Sequence, residues 1–132
     1  MIVGFDVNTV EAEKDENIGS NLQINYTPEI KDVERAQVNA FEEEVVQISY
    51  GFTVDYVNGD VSKASIRIDG SVLWNGDTDE IIEHWEENQE LPENVNTPLM
   101  NDLYRKLLSE SVGIADTLSM LPPIPTPTVG QD

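Results

Sequence analysis

Between Glu43 and Val57 every second residue is apolar. Val46, Ile48, Tyr50, Phe52, Val54 and Tyr56 fall on one side, and Gln47, Ser49, Gly51, Thr53 and Asp55 on the other. Successive side chains alternate across a strand, so this period of two predicts a long strand with one buried face. Asn58-Gly59 follows, two residues that tolerate positive φ, as a tight hairpin turn requires. The alternation resumes with Ala64, Ile66, Ile68, Gly70, Val72 and Trp74 against Lys63, Ser65, Arg67, Asp69 and Ser71. The pair predicts an antiparallel hairpin with one apolar and one wet face. A glycine inside a strand marks a bulge or a close backbone approach, which is the expectation for Gly70. Val45, Val57, Val61 and Leu73 interrupt the wet face. They suggest either self-association through that face or a groove for extended peptide.

Upstream, Ile2 to Glu13 alternates through Val3, Phe5 and Val7 and predicts a strand. Lys14 to Ser20 is polar and predicts a loop. Asn21 to Val33 carries Leu22, Ile24 and Tyr26 at period two before Pro28, so a strand there is broken or lies at an edge. Arg35 to Phe41 fits strand and loop equally. Downstream, Asp77 with Glu80 three residues on fits a capping box opening a short helix to about Asn88, with Ile81, Ile82 and Trp85 inward. Leu91-Pro92 breaks it. Thr97-Pro98 fits a cap followed by first-turn proline. Met100, Leu103, Tyr104, Leu107, Leu108, Val112, Ala115 and Leu118 then keep helical spacing, with Gly113 a point of weakness. The prolines between Leu121 and Val129 forbid both helix and central strand. Strands grouped before helices predict an α+β fold: an antiparallel sheet of about four strands, then two helices packed on one face. Residues 1–132 form a single domain in this reading, and 121–132 an extended proline-rich tail.

The chain has 26 Asp and Glu against 7 Lys and Arg, a formal charge of −19 over 132 residues. Such a surface repels nucleic acid and anionic lipid, which require neutralising cations. Two explanations fit: recruitment of a basic partner, or a saline host in which salt screens self-repulsion. The acidity is spread along the whole chain and lysine is scarce, which favours the halophilic reading. The absence of cysteine excludes disulfides, thiol catalysis and thiolate-bound metals. Met1 to Val10 lacks the pattern of a secretory signal, and no apolar run reaches the ~20 residues a membrane helix needs. The expected location is cytoplasmic.

Candidate chemistry is sparse. His84 is the one histidine, set among Glu83, Glu86 and Glu87, and no HxxH or HExxH spacing exists. Adjacent acids such as Glu42-Glu43-Glu44 and Glu86-Glu87 arise by chance in a chain this acidic. Asp77 and Asp79 follow Gly76, but the central glycine of a calcium loop is missing and a capped helix start explains them. Neither GxSxG nor GxGxxG occurs. Arg105-Lys106 is the one basic pair, too little for nucleic-acid readout. No cofactor is expected.

The layout now assembled resembles the SecB-type export chaperones. The features that carry the resemblance are Glu44–Tyr56, Ser62–Trp74, the helix after Asp77, the helix after Thr97 and the proline-containing stretch Leu121 to Val129. It implies a four-stranded antiparallel sheet, binding of unfolded chains along apolar grooves, and assembly as a homo-oligomer, dimer or tetramer. The chain departs from members that dock on the translocation motor, since Gly130-Gln131-Asp132 replaces a cysteine-bearing metal-binding tail. Three functional readings follow. The first is a non-catalytic binder of unfolded or extended polypeptide, its groove between the sheet and the loop joining the helices. Leu91, Pro92, Leu121, Pro122 and Ile124 are its candidate lining, with ordinary packing as their alternative. The second is an adaptor for one folded partner, such as an antitoxin-linked or viral accessory protein. The third, a carboxylate-only enzyme such as a glycosidase, needs two acids converging in a deep pocket.

Overall fold

A computed structural model of the chain describes residues 2–16, 22–37 and 44–119. Within them lie four strands, β1 (Ile2–Lys14), β2 (Gln23–Gln37), β3 (Glu44–Asn58) and β4 (Val61–Trp74), and two helices, α1 (Thr78–Asn88) and α2 (Glu93–Thr117). The strands form one antiparallel sheet in the order β1-β4-β3-β2. Strands β2, β3 and β4 are sequential neighbours and β1 joins beside β4, a Greek-key arrangement. The first two strands of the chain are therefore its two edges.

The alternation in β3 and β4 is realised. Val46, Ile48, Phe52, Val54, Tyr56, Ile66, Ile68 and Val72 are all fully buried. They share one core with Ile81 and Trp85 of α1 and with Leu99, Leu103 and Leu107 of α2, so both helices cover the same sheet face. The turn differs from expectation by one residue. Asn58 pairs with Val61, leaving Gly59-Asp60 as the two-residue tip. Only Gly59 takes positive φ, at 63°, which suits the hairpin turn with glycine first.

At the β2 edge, Pro28 sits opposite Phe52 and the strand continues through it to Gln37. An edge strand leaves one row of backbone groups unpaired, so a missing N–H is tolerated there. Gly70 meets both halves of its expectation. The β1 register shifts between Val7 and Thr9 beside it, and the Asp6 carbonyl and Tyr50 hydroxyl occupy the space a side chain would fill.

Helix α1 begins as predicted: the Asp77 carboxylate accepts from the Glu80 N–H at 3.2 Å. It ends at Gln89, whose φ of 55° closes a bond from its N–H to the Trp85 carbonyl. Helix α2 starts earlier than the Thr97-Pro98 signal predicts. Pro92 is its N-cap, and its carbonyl accepts from Val95 and Asn96. Pro98 lies inside the helix on its exposed side. Proline there removes one hydrogen bond to the preceding turn. Burial of Val95 and Leu99 on either side outweighs that loss. The helix also runs without interruption through Gly113.

Candidate functional site: an apolar band beside α2

Helix α2 carries two neighbouring apolar ridges. Val95, Leu99, Leu103, Leu107, Ser111 and Ala115 are spaced by four and all buried. Side chains at i and i+4 stack on one helix face, so this ridge is the seam against the sheet. The parallel ridge one residue on, Met100, Tyr104, Leu108 and Val112, is only half-buried.

Tyr104 fixes where that second ridge lies. Its ring meets Phe52 of β3 edge-on at 5.6 Å and Tyr26 of β2 at 5.9 Å. Tyr26 in turn stacks on Phe52 at 6.5 Å. Such pairs add about 0.5–1.5 kcal/mol each beyond area burial. Two residues on, Lys106 lies 5.6 Å over the Phe5 ring of β1. Helix α2 therefore crosses the sheet with its aromatic flank toward β2 and a cationic flank toward β1. Leu22 and Ile24, half-buried, precede Tyr26 on the same strand face. The half-exposed apolar residues on this side are Leu22, Ile24 and Tyr26 along the β2 edge and Met100, Tyr104 and Leu108 on α2, and the two sets meet where Tyr26 contacts Tyr104. Burial raises the phenol pKa of Tyr104, and raises that of Tyr26 with a smaller contribution from Tyr104. Both rings stay neutral at physiological pH and present apolar faces with hydroxyl tips.

The opposite sheet face is organised around an ion pair. Arg67 donates to both Asp69 oxygens, at 2.8 and 3.0 Å, and to the Thr53 hydroxyl at 3.0 Å. Lys31 of β2 donates to Asp69 at 3.1 Å. A side chain at Gly51 would occupy the place of the Arg67 guanidinium. Arg67 first, and then Lys31, hold the Asp69 carboxyl down to about 2 against the opposing effect of burial. Of the valines and leucine expected on this face, Val45 is buried, Val57 and Leu73 are half-buried and Val61 is exposed. They flank a polar centre.

A shallow acidic concavity of about 440 Å³ lies along α1 between Asp77, Asp79, Glu80, Glu83, His84 and Glu87. The His84 Nδ1 is 2.9 Å from the Glu90 carbonyl oxygen. Among the described residues no cluster of His, Asp and Glu has the geometry to hold a metal ion. No helix among them is long and apolar enough to cross a membrane.

Leu91 is 5% exposed and belongs to the core. Pro92 is buried where α2 begins. Packing accounts for both in this conformation. Leu121, Pro122 and Ile124 lie outside the described residues. The aromatic strip itself was not singled out from the sequence. Its signal was present in the consecutive apolar pairs Leu103-Tyr104 and Leu107-Leu108. Two adjacent apolar ridges make an arc wider than one seam against a sheet requires.

No family model and no curated protein sequence matches the chain. Solved structures do. One is a Mycobacterium tuberculosis SecB-like chaperone, Rv1957, in complex with a ChAD peptide from the Rv1956 HigA1 antitoxin. It superposes with a TM-score of 0.59 at 13% identity, over 100% of this chain and 91% of that one. The fold is SecB-like: a four-stranded antiparallel sheet followed by two helices.

Proposed function

We propose that this protein is a non-catalytic binder of extended, apolar polypeptide, acting in the manner of a SecB-type chaperone. The half-exposed strip centred on Tyr26 and Tyr104 carries the reading. Aromatic and aliphatic side chains beside an edge strand suit an extended peptide, because alternate side chains can enter apolar contacts while the backbone keeps its polar groups toward water. Tyrosines add hydroxyl tips that adapt to varied partners at low entropic cost. The proposed lining is this strip. Leu91 and Pro92 join this lining only in a state that uncovers them, and Leu121, Pro122 and Ile124 stay proposed as further lining residues.

A narrower version is supported by the peptide in the Mycobacterium tuberculosis neighbour, a segment of an antitoxin. In that version the client is one dedicated protein. Both versions place the protein in the cytoplasm as a dimer or tetramer, without nucleic acid or cofactor, its acidity serving solubility in salt.

The test is binding and aggregation suppression with a reduced, carboxymethylated protein as client, in high salt, for the unaltered chain and Tyr104→Ser. The unaltered chain should delay aggregation at stoichiometric amounts, and the variant should lose roughly tenfold in affinity, about 1.4 kcal/mol, with its circular dichroism retained. Equal activity of both proteins rejects the strip as the site. No activity of the unaltered chain, together with a single co-purifying protein, selects the dedicated-partner version.

A further inference from the structure

The chain contains two Asn-Gly steps, Asn58-Gly59 and Asn75-Gly76. Asparagine is among the chemically labile side chains of proteins, and a following glycine makes it more so. The backbone nitrogen of the next residue can attack the asparagine side-chain carbonyl carbon, and glycine has no Cβ to hinder the approach. A bond forms between that nitrogen and Cγ, closing a five-membered succinimide. The Cγ–Nδ2 bond breaks, and Nδ2 leaves as ammonia with the proton taken from the backbone nitrogen. Solvent water then opens the ring at either carbonyl. One opening gives aspartate. The other gives isoaspartate, whose backbone runs through the former side chain.

The fold treats the two steps differently. Asn58 is exposed at the end of β3, where it pairs with Val61 to close the hairpin. Among the described residues nothing bonds its side chain, and no backbone carbonyl accepts from the Gly59 N–H. Gly59 is exposed at φ of 63°, and beyond its chain neighbours no atom lies within 4 Å of the place a Cβ would take. Exposed tips of this kind open locally with little loss of packing. The register shift between Tyr56 and Val57 lies just inside the tip.

Asn75-Gly76 leads from β4 into α1. Asn75 is not free. Trp74 and Ile81 stand 3.0 and 3.5 Å from where a Gly76 Cβ would be, and the next residue, Asp77, caps the helix. Ring closure there has to disturb both the Trp74 packing and the helix start. Asp69-Gly70, the acidic counterpart, is held more firmly still. Arg67 and Lys31 bond its carboxylate, and the Asp6 carbonyl and Tyr50 hydroxyl crowd Gly70.

We infer that Asn58 is a site of spontaneous deamidation in the folded protein, converting through a succinimide to aspartate and isoaspartate while Asn75 is protected. The inference is independent of the peptide-binding reading. Either product adds a negative charge beside Asp60 to a chain of net −19. Isoaspartate also inserts a backbone carbon into the residue that pairs with Val61, which loosens the closure of the hairpin.

The experiment incubates the full chain at mildly alkaline pH, folded and in concentrated urea. Mass spectrometry follows the peptides that span each Asn-Gly step, with electron-transfer fragmentation to distinguish isoaspartate. In the folded chain Asn58 should convert on the order of tenfold faster than Asn75, the ratio that about 1.4 kcal/mol of difference in local opening produces. In urea the two rates should converge, because only the shared dipeptide acts there. Asn58→Gln, whose longer side chain cannot close the five-membered ring, should remove the acidic species seen on ion exchange, and Asn75→Gln should leave it. Equal rates in the folded chain, or faster conversion at Asn75, overturn the inference. So does an Asn58 that converts only in urea. A tenfold difference that persists in urea overturns it as well, since the fold would then not be its cause.

Discussion

The Tyr50 ring crosses Gly70 on the neighbouring strand, and its hydroxyl donates to the Asp6 carbonyl at 2.9 Å, tying β3 to β1 over β4. Phe5 of β1 stacks on the same ring at 5.8 Å. Burial pushes the Tyr50 phenol up to about 12, with the Asp6, Glu110 and Asp69 charges adding to it. Gly70→Ala should destabilise by about 1–3 kcal/mol, because the added methyl must displace the Asp6 carbonyl or the ring. Tyr50→Phe, which removes one hydrogen bond and leaves the ring in place, should lose about 1 kcal/mol. Urea midpoints of the two variants would separate the steric from the hydrogen-bonding contribution, and equal losses would refute this division.

The Asp69 carboxyl titrates lower in the folded protein than the usual ~3.9 of an unfolded chain. A depressed folded value stabilises at pH above the unfolded one, and the contribution is lost as pH falls through the folded one. The destabilisation caused by Asp69→Asn should therefore be largest above about pH 4 and shrink toward pH 2. Denaturant titrations from pH 6 to 2 would measure it, and a pH-independent difference would show that the charge is not responsible.

Ser111 is fully buried on α2, and its hydroxyl has no hydrogen-bond partner among the described residues. An unpaired buried hydroxyl is destabilising by about 1–3 kcal/mol relative to a paired one. Ser111→Ala should leave stability unchanged or raise it by up to about 1 kcal/mol. A clear loss of melting temperature would reveal an interaction that the geometry lacks.

Gly113 lies in α2 with open space where a side chain would project. Gly113→Ala should raise stability by about 0.5–1 kcal/mol through helix propensity and reduced freedom of the unfolded chain. Thermal melts would detect a rise of a few degrees. A fall would place this exposed face against another copy of the chain.

With a net charge of −19, the folded state repels itself. Raising salt from 0.1 to 1 M shortens the screening length from about 10 to about 3 Å. The melting temperature should climb over that range for the unaltered chain. Charge-reducing changes at exposed positions, such as Glu87→Lys at the end of α1, should flatten the climb. Melting curves that do not respond to salt would remove self-repulsion as a determinant of stability.

Much of the architecture was legible because its cause is local. A period of two needs only neighbouring residues, so β3, β4 and the polar face of the hairpin could be read directly, and the Asp77 cap lies three residues from its partner. The start of α2 could not be read this way. Pro98 has the appearance of a first-turn proline, and only the burial of Val95 against the core draws the helix back to Glu93. The turn at Gly59-Asp60 likewise depends on the register shift between Tyr56 and Val57, a property of two strands rather than of the dipeptide.

The amino-acid order alone determined which elements form and which faces are apolar, because steric preference and hydrophobic period act within a few residues. It also determined the chemistry that is excluded, since a chain without cysteine and with one histidine has few reactive groups. Tertiary structure decided which strands became edges, that Arg67 would lie across Gly51 to reach Asp69, and which of the two apolar ridges of α2 would be buried. Those outcomes depend on contacts between segments far apart in the chain. The strip around Tyr26 and Tyr104 exists because one sheet can cover only one ridge of the helix.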